Sequence, residues 1–295
     1  MTTARDILLQ GLESRLEPSV LEWLRAQCVQ LEAGAPDRVL HLAFGQAARK
    51  AGHAELDPSD AERAAAAAHH PGWDLRDWTI DLAARAALLL SLPDSAQTNA
   101  AVLGLFQTAD LREHVALART LFLMPGAPAL LHIAREGIRS NMGDVFRAIS
   151  QRNPYPAEHF DEIAWNQMVA KCVFTDVPLR TIYGLDARVN EALARMLLDL
   201  ARERRAAGRA LSPEAWRCIA PFAGFERGEE VLEFLEAAIT RPASPGAAGA
   251  ERRGAALAHR AMAGERAAAL LASRAPELAA AVATGSLTWD TYDVE

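Results

Sequence analysis

Residues 153–190, NPYPAEHFDEIAWNQMVAKCVFTDVPLRTIYGLDARVN, are where this chain concentrates side chains capable of specific chemistry. Most of the remaining sequence is Ala, Leu, Arg and Glu in helical rhythm, a pattern many sequences could satisfy. Within the segment, Glu158, His159, Asp161 and Glu162 form a tight cluster of potential acids, bases or metal ligands. A histidine beside carboxylates is what general acid–base catalysis uses. Metal binding asks for more. No second His lies nearby at a ligand spacing, and neither HxH nor HExxH occurs. Acids at a helix start also complement the helix dipole, so the same residues have a structural explanation. No catalytic residue is therefore assigned, and the cluster stands as the enzymatic alternative to a binding function.

The binding candidates surround that cluster. Asn153-Pro154-Tyr155-Pro156 is expected to be an extended turn, because residues before proline avoid the α region, and it would hold Tyr155 on a rigid loop. In the helix expected over 164–175, Trp165, Met168, Val169, Cys172 and Val173 form one stripe suited to burial. Asn166, Gln167, Ala170 and Phe174 lie on the other side. A phenylalanine beside two amides implies a helix covered on both sides or one lining a groove. Amides that tie down neighbouring backbone would account for the same pattern. Upstream, a continuous helix through Ile138 and Met142 would put Asn141 on the face of Ala134 and Val145, a buried polar position needing hydrogen-bond partners. It would serve as an interhelix clamp or as a ligand contact. The candidate ligand- or partner-binding residues are Asn141, Asn153, Tyr155, Trp165, Asn166, Gln167, Lys171 and Arg180. The aromatic rings would supply stacking area, and Lys171 and Arg180 would engage anionic groups.

Composition narrows the classes. The formal net charge of −7 disfavours a nucleic-acid role, which needs a basic surface. The dense basic run over 202–209 sits where a helix should end, and cations there complement the dipole as a solvated terminus. His69-His70 precedes Pro71-Gly72 and reads as a helix C-terminus, while His41, His53, His114 and His132 are scattered singly. Cys28, Cys172 and Cys218 form no CxxC pair and read as reduced small hydrophobes. No P-loop, Rossmann or GxSxG pattern occurs, so no cofactor or metal is expected. The first residues carry acids and no apolar core, and no apolar run approaches the ~20 residues of a membrane span. The expectation is a soluble, cytoplasmic protein.

The elements that must position these residues are helical throughout. Asp57-Pro58 and Ser212-Pro213 look like caps followed by a first-turn proline, and Asp110 with Glu113 forms a capping box. Leu193, Met196, Leu197 and Leu200 recur at helical spacing, as do Met142, Val145, Phe146 and Ile149. No β alternation stands out. Roughly a dozen helices with short links follow, an all-α fold of helical hairpins stacked as an irregular HEAT- or armadillo-like superhelix, although no fixed sequence period is visible. The expected domains are 1–240, a linker over 241–254 rich in Pro, Gly and small residues, and a C-terminal helical pair with a tail over 255–295. Trp289 and Tyr292 would dock that tail.

The stretch from IRSNMGDVF through NPYP, AWNQ and PLRTIYGLD to NEALARMLLDLARERRAAGR resembles the EboA family of metabolite-traffic proteins. The PGWDLRDWTIDLAARAALLL stretch is similar too, so the resemblance covers about residues 36–240. Tyr183 and the pair Arg204-Arg205 depart from the family pattern, the latter standing where an aromatic is expected. The resemblance implies a cytoplasmic member of a small bacterial gene cluster with a pathway role but no established reaction, and the leading expectation is a non-enzymatic helical scaffold or carrier. It would support traffic of a secondary-metabolite precursor toward the membrane and periplasm. The implied partners are an apolar aromatic metabolite and other products of the cluster, including a membrane prenyltransferase. The alternatives are an enzyme acting on a pathway intermediate through the His159 cluster, and a generic protein–protein adaptor.

Overall fold

The computed structural model describes residues 2–209, 211–222, 228–240, 247–262 and 265–293. Among these residues the chain forms eighteen α-helices and three short 3-10 turns, and its sole strand-like pairing is one antiparallel bridge, Glu55 to Thr79. The expected all-α class holds, with more and shorter helices than the periodicity suggests. The chain divides into two compact units, Met1–Asp161 and Glu162–Glu295.

The first unit holds α1 (Ala4–Glu13), α2 (Pro18–Glu32), α3 (Asp37–Ala51), α4 (Asp60–His69), α5 (Ile80–Leu89), α6 (Ala96–Thr108), α7 (Leu111–Thr120), α8 (Leu131–Arg139), α9 (Gly143–Ser150) and α10 (Tyr155–His159). Its centre is α5, every residue of which is buried. Ala83, Ala84, Ala86 and Ala87 present little bulk, so α1, α2, α3 and α7 all pack against this one helix. A succession of hairpins therefore does not describe this unit, because α5 gathers helices from well before and after it. Two charges are buried with it. Arg85 Nη1 donates to Asp81 Oδ2 at 2.7 Å, and Arg85 Nε donates to the Phe44 carbonyl at 3.1 Å. Thr79, the N-cap of α5, donates its hydroxyl to Asp81 at 2.7 Å. A buried ion pair is tolerated only when its remaining hydrogen-bonding groups are also served, as here.

Capping follows the sequence at one of the three expected starts and shifts at two: after Ser212-Pro213 the helix begins only at Ala215, with Glu214 in the cap position and no side-chain cap bond. Asp110 and Glu113 form the expected box at the start of α7. At α4 the cap is Ser59, reciprocated by Glu62, and Pro58 stands ahead of it rather than at the first helical position. A hydroxyl that can accept from the third helical amide outcompetes the preceding Asp57.

The second unit holds α11 (Glu162–Phe174), α12 (Leu185–Arg188), α13 (Glu191–Ala206), α14 (Ala215–Ile219), α15 (Gly228–Ile239), α16 (Ala247–Ala261), α17 (Glu265–Arg274) and α18 (Pro276–Thr284). Here α11 packs on α13, α13 on α14, and α16 takes α14, α15, α17 and α18. Ala255, Ala256 and Ala258 are fully buried on α16, which makes it the small-residue hub of this unit. Of the expected linker, 241–246 lies outside the described residues, while 247–254 is the first half of α16. The tail docks as Trp289 and Tyr292 suggest. Tyr292 is buried against Trp289, the Tyr292 carbonyl accepts from Arg253, and the Arg217 guanidinium lies 6.0 Å from the Trp289 ring centre.

Candidate functional site

The NPYP stretch is built inward. Asn153 is buried, its Nδ2 donating to the carbonyls of Ala118 at 3.0 Å and Ala148 at 2.8 Å. Its Oδ1 accepts from the Tyr155 amide at 3.0 Å. The expected extended turn is instead the entry to α10: Pro154 is helical in backbone and caps a helix beginning at Tyr155. The Asn153 side chain substitutes for the backbone bonds that the two prolines cannot make. Tyr155 is consequently inside, not displayed on a loop. Its hydroxyl donates to the Ala127 carbonyl at 2.6 Å, and burial raises its pKa well above the ordinary phenol value.

Asn141 has the opposite fate. The continuous helix expected through 138–142 is broken between α8 and α9, and Asn141 lies exposed in the break, not on a buried face. The Ser140 hydroxyl accepting from the Met142 amide at 3.0 Å makes the turn. The histidine–carboxylate cluster is dispersed among structural partners. Glu158 lies 3.5 Å from His70 Nε2 and 3.8 Å from His159 Nε2, the His159 ring packs 4.5 Å from Tyr155, and Asp161 pairs with Arg135 at 2.5 Å. Glu162 opens α11 in the other unit. Among the described residues no group of three or more His, Cys, Asp or Glu is placed to hold a metal.

In the second unit, the expected buried stripe of α11 is observed: Trp165, Met168, Val169, Cys172 and Val173 are all buried. Trp165 lies beneath Arg188, whose guanidinium is 4.6 Å from the ring centre. Asn166, expected on the side of Gln167 and Phe174, is instead buried and pairs amide to amide with Asn190, donating at 3.1 Å and accepting at 2.9 Å. Asn190 is also the N-cap of α13, accepting from the Leu193 amide. One side-chain pair thus fixes α11 against the first turn of α13.

The opposite side of α11 carries Ile163, Gln167, Ala170 and Phe174 at helical spacing. Ile163 and Phe174 are 70% and 66% exposed, unusually open for large apolar side chains. On α13, Leu193 and Leu197 are buried as expected, but Met196 is 41% exposed. Between the two helices runs an open groove of about 550 Å³, lined by Ala170, Lys171, Phe174, Met196, Asp199, Leu200 and Glu203. Lys171 is half-buried there, and burial lowers its pKa below the usual lysine value. Phe174 offered a groove as one of two readings, the other being a helix covered on both sides, while Met196 was indistinguishable from core because a hydrophobic stripe does not say how much of it is covered.

Arg180 is taken up by the chain itself. Its Nη1 lies 2.6 Å from Asp293 in the tail and 3.4 Å from Glu214. Glu214, which the sequence does not single out, is almost fully buried and accepts from the amides of Leu179 and Arg180. It clamps the turn after Pro178 from 34 and 35 residues further along the chain. The basic run is likewise more paired than a solvated terminus would be: Arg202 bonds Glu230 and Arg204 lies 3.4 Å from Asp176.

These features define an all-α protein in which Asn153 and Tyr155 hold backbone in place and Asn166 and Arg180 pair with other side chains, with an open, mostly apolar groove between α11 and α13. A family model described as metabolite traffic protein EboA matches residues 4–220. The chain belongs to that family, and the match begins earlier and ends earlier than the span over which the motifs are visible by eye. No curated protein and no solved structure matches the chain. Among the described residues no helix is long and apolar enough to cross a membrane.

Proposed function

We propose that this chain is a non-enzymatic carrier in metabolite traffic that holds an apolar aromatic cargo in the α11–α13 groove. The observation that supports this is the exposure of Phe174 and Met196 on packed helices, with Lys171 lining the same groove. Leaving that much apolar surface in water is unfavourable by roughly 25 cal/mol per Å², so an occupant that covers it gains that free energy. The wall spacing is fixed by the Asn166–Asn190 pair, so little ordering is required on binding. In this reading Gln167 and Lys171 flank the cargo, and Trp165 and Asn166 support the groove from beneath. Asn141, Asn153, Tyr155 and Arg180 are assigned to no cargo contact. The carrier works in the cytoplasm and delivers a secondary-metabolite precursor toward the membrane, where a prenyltransferase encoded in the same gene cluster is the proposed receiving partner.

Native mass spectrometry of the chain co-expressed with the products of that cluster tests the proposal. A small-molecule mass that is lost on denaturation, and lost in Phe174→Asp while the variant stays folded, is the expected result. Retention of that mass in Phe174→Asp overturns the groove as the cargo site. A protein complex that carries no small molecule, but dissociates in Phe174→Asp, makes the same face a scaffold contact instead.

A further inference from the structure

A second cavity lies on the far part of α13, and its chemistry differs from that of the groove. It encloses about 390 Å³, at the small end of the roughly 300–1,000 Å³ typical of ligand sites. Its apolar wall is aromatic: Trp216, on α14, and Phe234, on α15, lie 5.5 Å apart between ring centres with the planes tilted. Arg205 and Arg209 line the same cavity, and the Arg205 guanidinium lies 4.6 Å from the Phe234 ring centre. A guanidinium stacked on a ring is held in place while its in-plane N–H edge still offers a two-pronged donor to a carboxylate.

Neighbouring arginines on this helix carry acids of their own. Arg195 pairs with Glu191, Arg202 with Asp199 and Glu230, and Arg204 with Asp176. Among the described residues no carboxylate pairs with Arg205 or Arg209. Glu251 is the acid in the lining, and it is itself engaged. Glu251 contributes one negative charge and the α13 terminus about half of one, so two guanidinium groups still leave the cavity weakly positive in a chain whose formal net charge is −7.

We propose that this cavity binds a planar aromatic carboxylate, a one- or two-ring arene with its ring against Trp216 and Phe234 and its carboxylate on Arg205 and Arg209. The site is separate from the α11–α13 groove and does not rest on the function assigned to it. Phe234 and Glu251 lie past residue 220, so the cavity is completed by a part of the chain that the family model does not cover.

The test is calorimetric titration of the full chain with 2-naphthoate and, as a neutral match, 2-naphthalenemethanol. At roughly 0.3 kcal/mol per heavy atom, 2-naphthoate should bind with a Kd of about 1 mM or tighter. The neutral alcohol should bind about tenfold more weakly. R205Q/R209Q should lose about tenfold for the carboxylate and little for the alcohol. Ala237→Phe, which fills the cavity without touching its charge, should lose both, and Phe174→Asp should change neither. Equal binding of the two probes, wild-type affinity in R205Q/R209Q or in Ala237→Phe, or no saturation by about 10 mM overturns the proposal. Ala237→Phe keeps the test decisive should the double arginine variant fail to fold.

Discussion

Asn153 ties three backbone groups together, accepting from Tyr155 and donating to Ala118 and Ala148. That geometry makes a sharp prediction for Asn153→Asp, which keeps the shape and the acceptor but sets a carboxylate oxygen against two carbonyls. Losing two buried hydrogen bonds and leaving their acceptors unserved should cost about 3 kcal/mol or more. Urea denaturation at neutral pH reads it directly, and a variant within about 0.5 kcal/mol of wild type would show that water takes over the clamp. The segment's importance was legible in its amides and prolines, set in a chain of Ala and Leu. What was not legible is which way an amide turns. Asn141 and Asn153 are the same residue type in the same stretch, yet one is exposed and the other almost fully buried. The difference lies in whether free carbonyls from α7 and α9 arrive at the side chain, and sequence spacing does not carry that information.

Helices were the most legible level, because spacing and capping are local. The box at Asp110 and Glu113, and the buried stripe of α11, follow from residues within a few positions of one another. Long-range packing reverses the local signal at Gly254. Beside prolines and small residues it looks like linker, yet it lies inside α16, where a Cβ would meet Pro213 Cβ at 2.6 Å. Glycine is required there by the close approach of α16 to the start of α14, not by backbone conformation. In an exposed helix, Gly to Ala should stabilise by roughly 0.5–1 kcal/mol. Here the contact is with a rigid ring, and overpacking should destabilise Gly254→Ala by about 1–3 kcal/mol instead. The sign of the change in the thermal midpoint decides between linker and hub. A variant that melts higher than wild type would mean that α16 does not seat against Pro213.

Over the whole molecule, two ionisable groups with shifted pKa values, His259 buried and Glu62 partly exposed, make the two units respond to acid in different windows. In the second unit, His259 on α16 is 1% exposed, and burial pushes its pKa down to about 4, against the opposing effects of Glu236 and the backbone at Leu235. An unfolded histidine titrates near 6.5. As pH falls below that value, the unfolded chain takes up a proton the native unit refuses, and stability is lost progressively until the native ring also protonates near pH 4. The full contribution is therefore present above pH 6.5, and the loss by pH 4 amounts to about 3 kcal/mol. In the first unit, hydrogen bonding to Arg15 holds Glu62 down at about 2. Its contribution is present above the ordinary carboxylate range and fades only as pH falls from about 4.5 toward 2. Acidification from pH 7 to 5 should accordingly weaken the second unit and spare this part of the first. Hydrogen exchange, corrected for intrinsic rates, should show peptides from 228–261 losing protection over that range while those from 4–69 keep theirs. His259→Leu removes the titrating ring without adding a polar group, and its stability should vary less with pH between 6.5 and 4 than that of wild type. The same slope in both chains would mean that His259 takes up its proton as readily folded as unfolded, and the buried-imidazole argument would fail.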